Sequence, residues 1–229
     1  AELRAAESAT LRQMLEVLGH EIMNALTPIA SLSSTAADLL RDDTVTSRAQ
    51  ALDALGTLER RAQAVLTFTD GYRTMTRLPP PVIADAGLLA VINDLVTLFE
   101  TQWRIEGVGL TLAQPATDIL VRMDRDQIIQ ALWAILQNAA EATLVNPHAD
   151  RSVRLIVTHN SATLSFTVED NGPGFGEIAD TEAFQPFFTT KAEGSGIGLS
   201  LAREIFRAHG GDVAIRSVAG RGAKIVATL

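Results

Sequence analysis

Leu11, Leu15, Leu18, Ile22, Ala25, Ile29, Leu32, Ala36 and Leu39 follow one another by alternating steps of four and three. A seam of that period, held over about four heptads, specifies a long helix burying one narrow stripe against other helices. It excludes a strand, whose side chains repeat every two residues. The polar run Arg41-Asp42-Asp43-Thr44 interrupts the seam, and from about Thr46 the spacing resumes through Leu55, Leu58, Ala62, Val65, Thr69 and Tyr72. Two long helices with a short polar connection predict an antiparallel hairpin. One hairpin offers a single seam, so two copies are expected to pair as a homodimeric four-helix bundle.

Pro79-Pro80-Pro81 cannot continue a helix and favours a stiff, extended linker. The expected organisation is a helical hairpin over 1–78, a linker over 79–82 and a second domain over 83–229. In that domain the pattern is mixed. Residues 85–99 read as helix, and 108–112 and 119–123 as strands. Asp124-Arg125-Asp126-Gln127 has the spacing of a capping box and opens a helix to about Leu144. Val153, Leu155, Val157 and then Leu164, Phe166, Val168 alternate with polar residues, the mark of a hairpin with one buried face. A glycine-rich segment, a helix from about Ile197 to His209 and a last hairpin around Gly220-Arg221-Gly222 complete the chain. Helices beside a mainly antiparallel sheet predict a two-layer α/β sandwich.

The formal charge, −8, argues against a nucleic-acid or anionic-membrane surface, both of which require clustered Lys and Arg. With no Cys there is neither a disulfide framework nor a Cys-based metal site. The most apolar stretch, 128–136, is far short of a membrane span. These features fit a cytoplasmic location, with any membrane attachment carried by a region upstream of Ala1.

On the first helix His20 lies off the seam, and Asn24 and Thr27 follow at i+4 and i+7, so all three share one exposed stripe. A neutral imidazole offers a lone pair for nucleophilic attack, and Glu21 beside it is a candidate base. A single surface histidine would ordinarily mean nothing. The second domain gives it a context. Asn138, in a helix interior where Asn is unfavourable, has a carbonyl oxygen suited to Mg²⁺. The carboxylate of Asp170, followed by Gly172 and Gly174, can accept from an exocyclic amine such as that of adenine. Gly194, Gly196, Gly198 and Leu199 open a helix whose amides suit a phosphate. Between them, 184–191 carries Phe184, Phe187 and Phe188 and reads as a lid, with Lys191 able to reach a phosphate. No GxxxxGK[ST] occurs, which excludes a P-loop enzyme.

Together these residues resemble the histidine kinase family over almost the whole chain. His20-Glu21-Ile22-Met23-Asn24-Ala25-Leu26-Thr27-Pro28 is similar to its phospho-acceptor box. Asn138, Asp170-x-Gly172-x-Gly174, 184–188 and Gly194-x-Gly196-x-Gly198 resemble its nucleotide-binding boxes. The acceptor box and the Phe-Phe-Thr-Thr-Lys lid are most similar to the nitrogen-sensor branch. The resemblance implies a dimerisation and phosphotransfer hairpin followed by a Bergerat-type ATP domain. It implies that His20 is phosphorylated from ATP with Mg²⁺, that Glu21 assists, and that an aspartate of a response regulator receiver domain accepts the phosphate. It also implies that Asn24 positions water when the kinase dephosphorylates that partner. Two departures stand out: Ala134, where the family usually has a second Asn and related ATPases a Glu, and Ala223, where a Thr hydroxyl usually supports the adenine-binding Asp. Both predict weak nucleotide binding, and a kinase-impaired phosphatase or docking module is the second reading. His148, His159 and His209 need no function; His209, at a helix end, is placed to serve the last carbonyls.

Overall fold

The computed structural model describes residues 23, 26–42, 44–76, 78–160, 163–176, 180–191, 196–216 and 222–229. His20, Glu21, Asn24 and Gly194 lie outside the described residues. The chain divides into two compact units, Ala1–Arg73 and Thr74–Leu229.

In the first unit, helix α1 covers 26–42 and helix α2 spans Val45–Thr76. Thr44 starts α2: its Oγ1 accepts from the Ser47 N–H at 3.0 Å, and Ser47 Oγ donates to Asp42 Oδ2 at 2.7 Å across the connection. Ile29, Leu32, Ala36 and Leu39 are the shielded apolar positions of α1, as the heptad spacing requires. On α2 Ser47 and Ala51 are buried and Ala54 and Leu58 half-buried, whereas Leu55, expected on the seam, is 42% exposed. The seam here is built from small side chains, and a small residue is a weak marker of burial when a leucine stands next to it.

The second unit begins with a segment docked by its backbone. The Pro79 carbonyl accepts from Gln127 Nε2 at 2.9 Å, and the Val82 N–H donates to Asp124 Oδ2 at 2.9 Å. Strand β1 (Ala84–Gly87) follows and pairs antiparallel with β3 (Leu120–Met123). Residues 85–87 are therefore strand, not the helix expected from residue 85. Gly87 ends the strand against Leu120, and helix α3 (Leu88–Trp103) starts one residue later, burying Leu88, Val91, Ile92, Leu95, Phe99 and Trp103 on one face.

The main sheet has the order β2 (Gly109–Ala113), β4 (Ser152–His159), β5 (Leu164–Asp170), β7 (Lys224–Thr228), β6 (Asp212–Ile215). Only the β2–β4 pairing is parallel. Helices α3, α4 (Arg125–Thr143) and α6 (Gly198–Ala208) contribute to one core with this sheet, α5 (Asp180–Ala183) being a single turn. Phe166 of β5 meets Phe206 of α6 edge-on, with ring centroids 6.2 Å apart.

Asp124 caps α4 as its spacing predicts, Oδ1 accepting from the Gln127 N–H at 3.2 Å. The return half of a capping box is absent. Gln127 reaches Pro79 instead, and the Asp124 N–H donates to His209 Nε2 at 3.0 Å. His209 Nδ1 bonds the Ile205 carbonyl at 2.8 Å, so the imidazole serves a helix-end carbonyl and fastens the end of α6 to the start of α4. No helix among the described residues is long and apolar enough to cross a membrane.

Candidate functional site

Strand β5 buries alternate residues: Leu164, Phe166, Val168 and then Asp170. The period that aims three apolar side chains at the core therefore aims the fourth, a carboxylate, to the same side at the strand's end. Asp170 is 8% exposed. Its Oδ1 accepts from the Gly172 N–H at 2.8 Å and the Ala223 N–H at 3.2 Å. Burial raises its carboxyl above the ordinary aspartate value, outweighing those two amide bonds and the Lys191 charge, which pull the other way.

The loop after Asp170 is fixed by Asn171, whose Oδ1 accepts from the Ser152 N–H at 3.1 Å and whose Nδ2 donates to the Asp150 carbonyl. Gly172 lies so close to α4 that a β-carbon there would stand 2.6 Å from the Ala142 carbonyl oxygen. Gly174 lies similarly against Gly222. These glycines let the loop pack directly against the Ala142 and Gly222 backbone.

Asn138 lies on α4 one turn before that contact. Its Oδ1 accepts from Lys191 Nζ at 2.9 Å, and the same ammonium is 2.5 Å from Glu141 Oε2. The structure thus joins Lys191 and Asn138, named separately from sequence, and adds Glu141. The signal for Glu141 was its i+3 spacing from Asn138, which puts both on one helix face.

The segment 184–191, expected to be a lid, holds two further contacts. Phe184 is buried beneath the Arg203 guanidinium, 4.6 Å from its ring centroid. Arg203 in turn donates to both oxygens of Asp212, at 2.7 and 3.0 Å. The Arg203 hydrogen bond holds the Asp212 carboxyl well below the usual aspartate range. No motif pointed to this Arg203–Asp212 support, because an Arg nine residues before an Asp looks like ordinary surface charge. Phe187, with φ of 71°, donates its N–H to the Gly196 carbonyl at 2.9 Å, so lid and glycine turn interlock through the backbone.

Gly198 and Leu199 open α6, whose N-terminus has no side-chain cap. Ala134 faces this turn: a β-carbon on Gly198 would stand 3.7 Å from that of Ala134. No group of three or more His, Cys, Asp or Glu is arranged to hold a metal among the described residues. Asn138 offers an oxygen already facing a cation, the ammonium, which fits a Mg²⁺ ion arriving with phosphate ligands.

The family model described as "Histidine kinase-, DNA gyrase B-, and HSP90-like ATPase" matches residues 123–229. The C4-dicarboxylate transport sensor protein DctS of Rhodobacter capsulatus is 27% identical over 99% of this chain and 34% of its own length. The nitrogen regulation protein NtrY of Azorhizobium caulinodans is 30% identical over 93% of this chain and 28% of its own. The chain thus spans about a third of the length of such curated relatives. Among solved structures, the catalytic domain of histidine kinase ThkA is 28% identical with TM-score 0.57, covering 64% of this chain and 94% of that one. ThkA in complex with the response regulator protein TrrA matches 99% of this chain and 63% of that one, with TM-score 0.74 at 24% identity, a likeness of fold.

Proposed function

The chain is a homologue of the sensor histidine kinases with their ATPase domain at residues 123–229, and from that premise we propose that it transfers the γ-phosphoryl group of ATP to His20. An aspartate of a response regulator receiver domain then accepts the group. The observation that carries this reading is the Asp170 carboxylate, turned to the inner side by the strand's own period. Both of its hydrogen bonds fall on Oδ1. Oδ2 is left to accept from the exocyclic amine of adenine, while Gly172 and Gly174 let the adjoining loop pack against Ala142 and Gly222.

The nucleotide then runs from Asp170 toward α6, where the backbone of Gly196, Gly198 and Leu199 offers the phosphate turn, Gly194 being its remaining residue in sequence. Lys191 and Asn138 stand at the side. Asn138 and the phosphates would hold Mg²⁺, which would supply charge neutralisation. His20 attacks the γ-phosphorus with a ring nitrogen as the bond to the ADP oxygen breaks, and Glu21 takes up the ring proton. Asn24 orients water in the reverse traffic, when the regulator is dephosphorylated. A homodimer suits the first unit, where Leu26, Leu40, Leu52 and Leu66 are exposed and a second copy gives them a seam to bury. A cytoplasmic location of these domains is part of the same proposal.

Ala134 favours a second reading. A methyl beside the phosphate turn neither ligates nor activates water, which suits a kinase-impaired phosphatase or docking module and argues against a free ATPase. Incubation with γ-labelled ATP separates them. Acid-labile label lost in His20→Ala supports the kinase. No label, with Asn24-dependent loss of phosphate from a phosphorylated regulator, supports the second reading.

A further inference from the structure

We propose that Glu141 is a positioning residue that latches the lid in the nucleotide-free protein, with the Lys191 ammonium standing in for the site's cation. The proposal rests, for its nucleotide half, on the reading above. The segment 184–191 is tethered at its start by Phe184 under Arg203 and in its middle by the Phe187 N–H on the Gly196 carbonyl. Its far end is held by Lys191, whose Nζ lies 2.9 Å from Asn138 Oδ1 and 2.5 Å from Glu141 Oε2. The Lys191 N–H also donates to Thr189 Oγ1 at 3.1 Å, a tight local turn that aims the side chain back onto α4.

An ammonium and a divalent cation compete for the Asn138 oxygen, because both require its lone pairs and their charges repel. Mg·nucleotide must therefore take Asn138 from Lys191. Glu141 ligates no phosphate in this scheme. It sets how firmly Lys191 is held before the exchange and where the lysine rests if it is displaced.

The test compares wild type, Glu141→Gln and Glu141→Asp. The Glu141 side chain is 42% exposed, so these changes leave the core intact. Hydrogen exchange of the 184–191 amides is measured without nucleotide, and Mg·ADP affinity by titration. Loss of a half-exposed ion pair predicts exchange about threefold faster in Glu141→Gln, with Mg·ADP bound about threefold more tightly. Glu141→Asp, which keeps the carboxylate, should restore most of the protection. Equal lid exchange in nucleotide-free wild type and Glu141→Gln overturns the latch. Failure of every variant to bind Mg·ADP would instead overturn the nucleotide reading, while the exchange comparison still decides the latch.

Discussion

Asp170 and Ala223 are tied twice: the Asp170 N–H donates to the Ala223 carbonyl at 3.0 Å, and the Ala223 N–H donates to Asp170 Oδ1 at 3.2 Å. The carboxylate is thus oriented by backbone at Ala223, the position where the family resemblance implies a Thr hydroxyl. A lost hydroxyl removes one bond and leaves the scaffold. Ala223→Thr should strengthen nucleotide binding by about 0.5–1.5 kcal/mol, the worth of one hydrogen bond, read by titration with Mg·ADP. An unchanged affinity would show that the backbone bonds already orient Asp170 fully.

Asp170→Asn keeps an oxygen for the Gly172 and Ala223 amides but loses the charge. Because burial raises the folded carboxyl's value, stability from this group is present below the unfolded value of about 3.9 and lost as pH rises through the folded one. The variant should match or exceed the wild-type Tm at pH 7, with the difference vanishing toward pH 4. Its nucleotide affinity should fall at least about tenfold. Thermal melts across pH beside titrations check both.

Asp212 behaves with the opposite sign. The Arg203 pair depresses its carboxyl, so its stabilisation is present above about pH 4 and lost as pH falls further toward the folded value. Asp212→Asn should cost about 1 kcal/mol at pH 7 in urea unfolding, the upper end for a half-exposed pair, with the gap closing in acid. It should also loosen Phe184, visible as faster exchange at the start of the lid.

Two glycines with positive φ should respond differently to alanine. At Gly222 (φ 79°) a β-carbon would stand 1.9 Å from the Asp170 carbonyl oxygen; at Gly176 (φ 60°) nothing lies within 4 Å. Gly176→Ala should cost about 1–2 kcal/mol, the left-handed penalty alone. Gly222→Ala should cost more than about 3 kcal/mol and reduce nucleotide binding, since it displaces Asp170 itself.

Much of this was legible in the sequence because two periods dominate it. Ile29, Leu32, Ala36 and Leu39 declare a helix seam, and Leu164, Phe166, Val168 declare a strand face. Asp170 is that strand's next inward position, which is why it is buried. The β1 strand was missed because 84–87 is too short and too small-sided to show a period, and is defined only by its partner β3. Ala51 and Ala54 were passed over for Leu55 for a similar reason. Spacing places Glu141 on the Asn138 face of α4, but its Lys191 partner and the Arg203–Asp212 pair depend on which loop folds onto which helix, which local spacing does not carry.

The central claim joins the Asp170 site to His20, and one measurement tests both ends. Wild type, Asp170→Asn and His20→Ala are incubated with Mg·ATP, digested without exposure to acid, and the peptide containing His20 is examined by mass spectrometry. The account predicts one phosphoryl group on His20 in wild type, little in Asp170→Asn and none at that position in His20→Ala. No phosphate on His20 in wild type, or equal phosphorylation in Asp170→Asn, would contradict it.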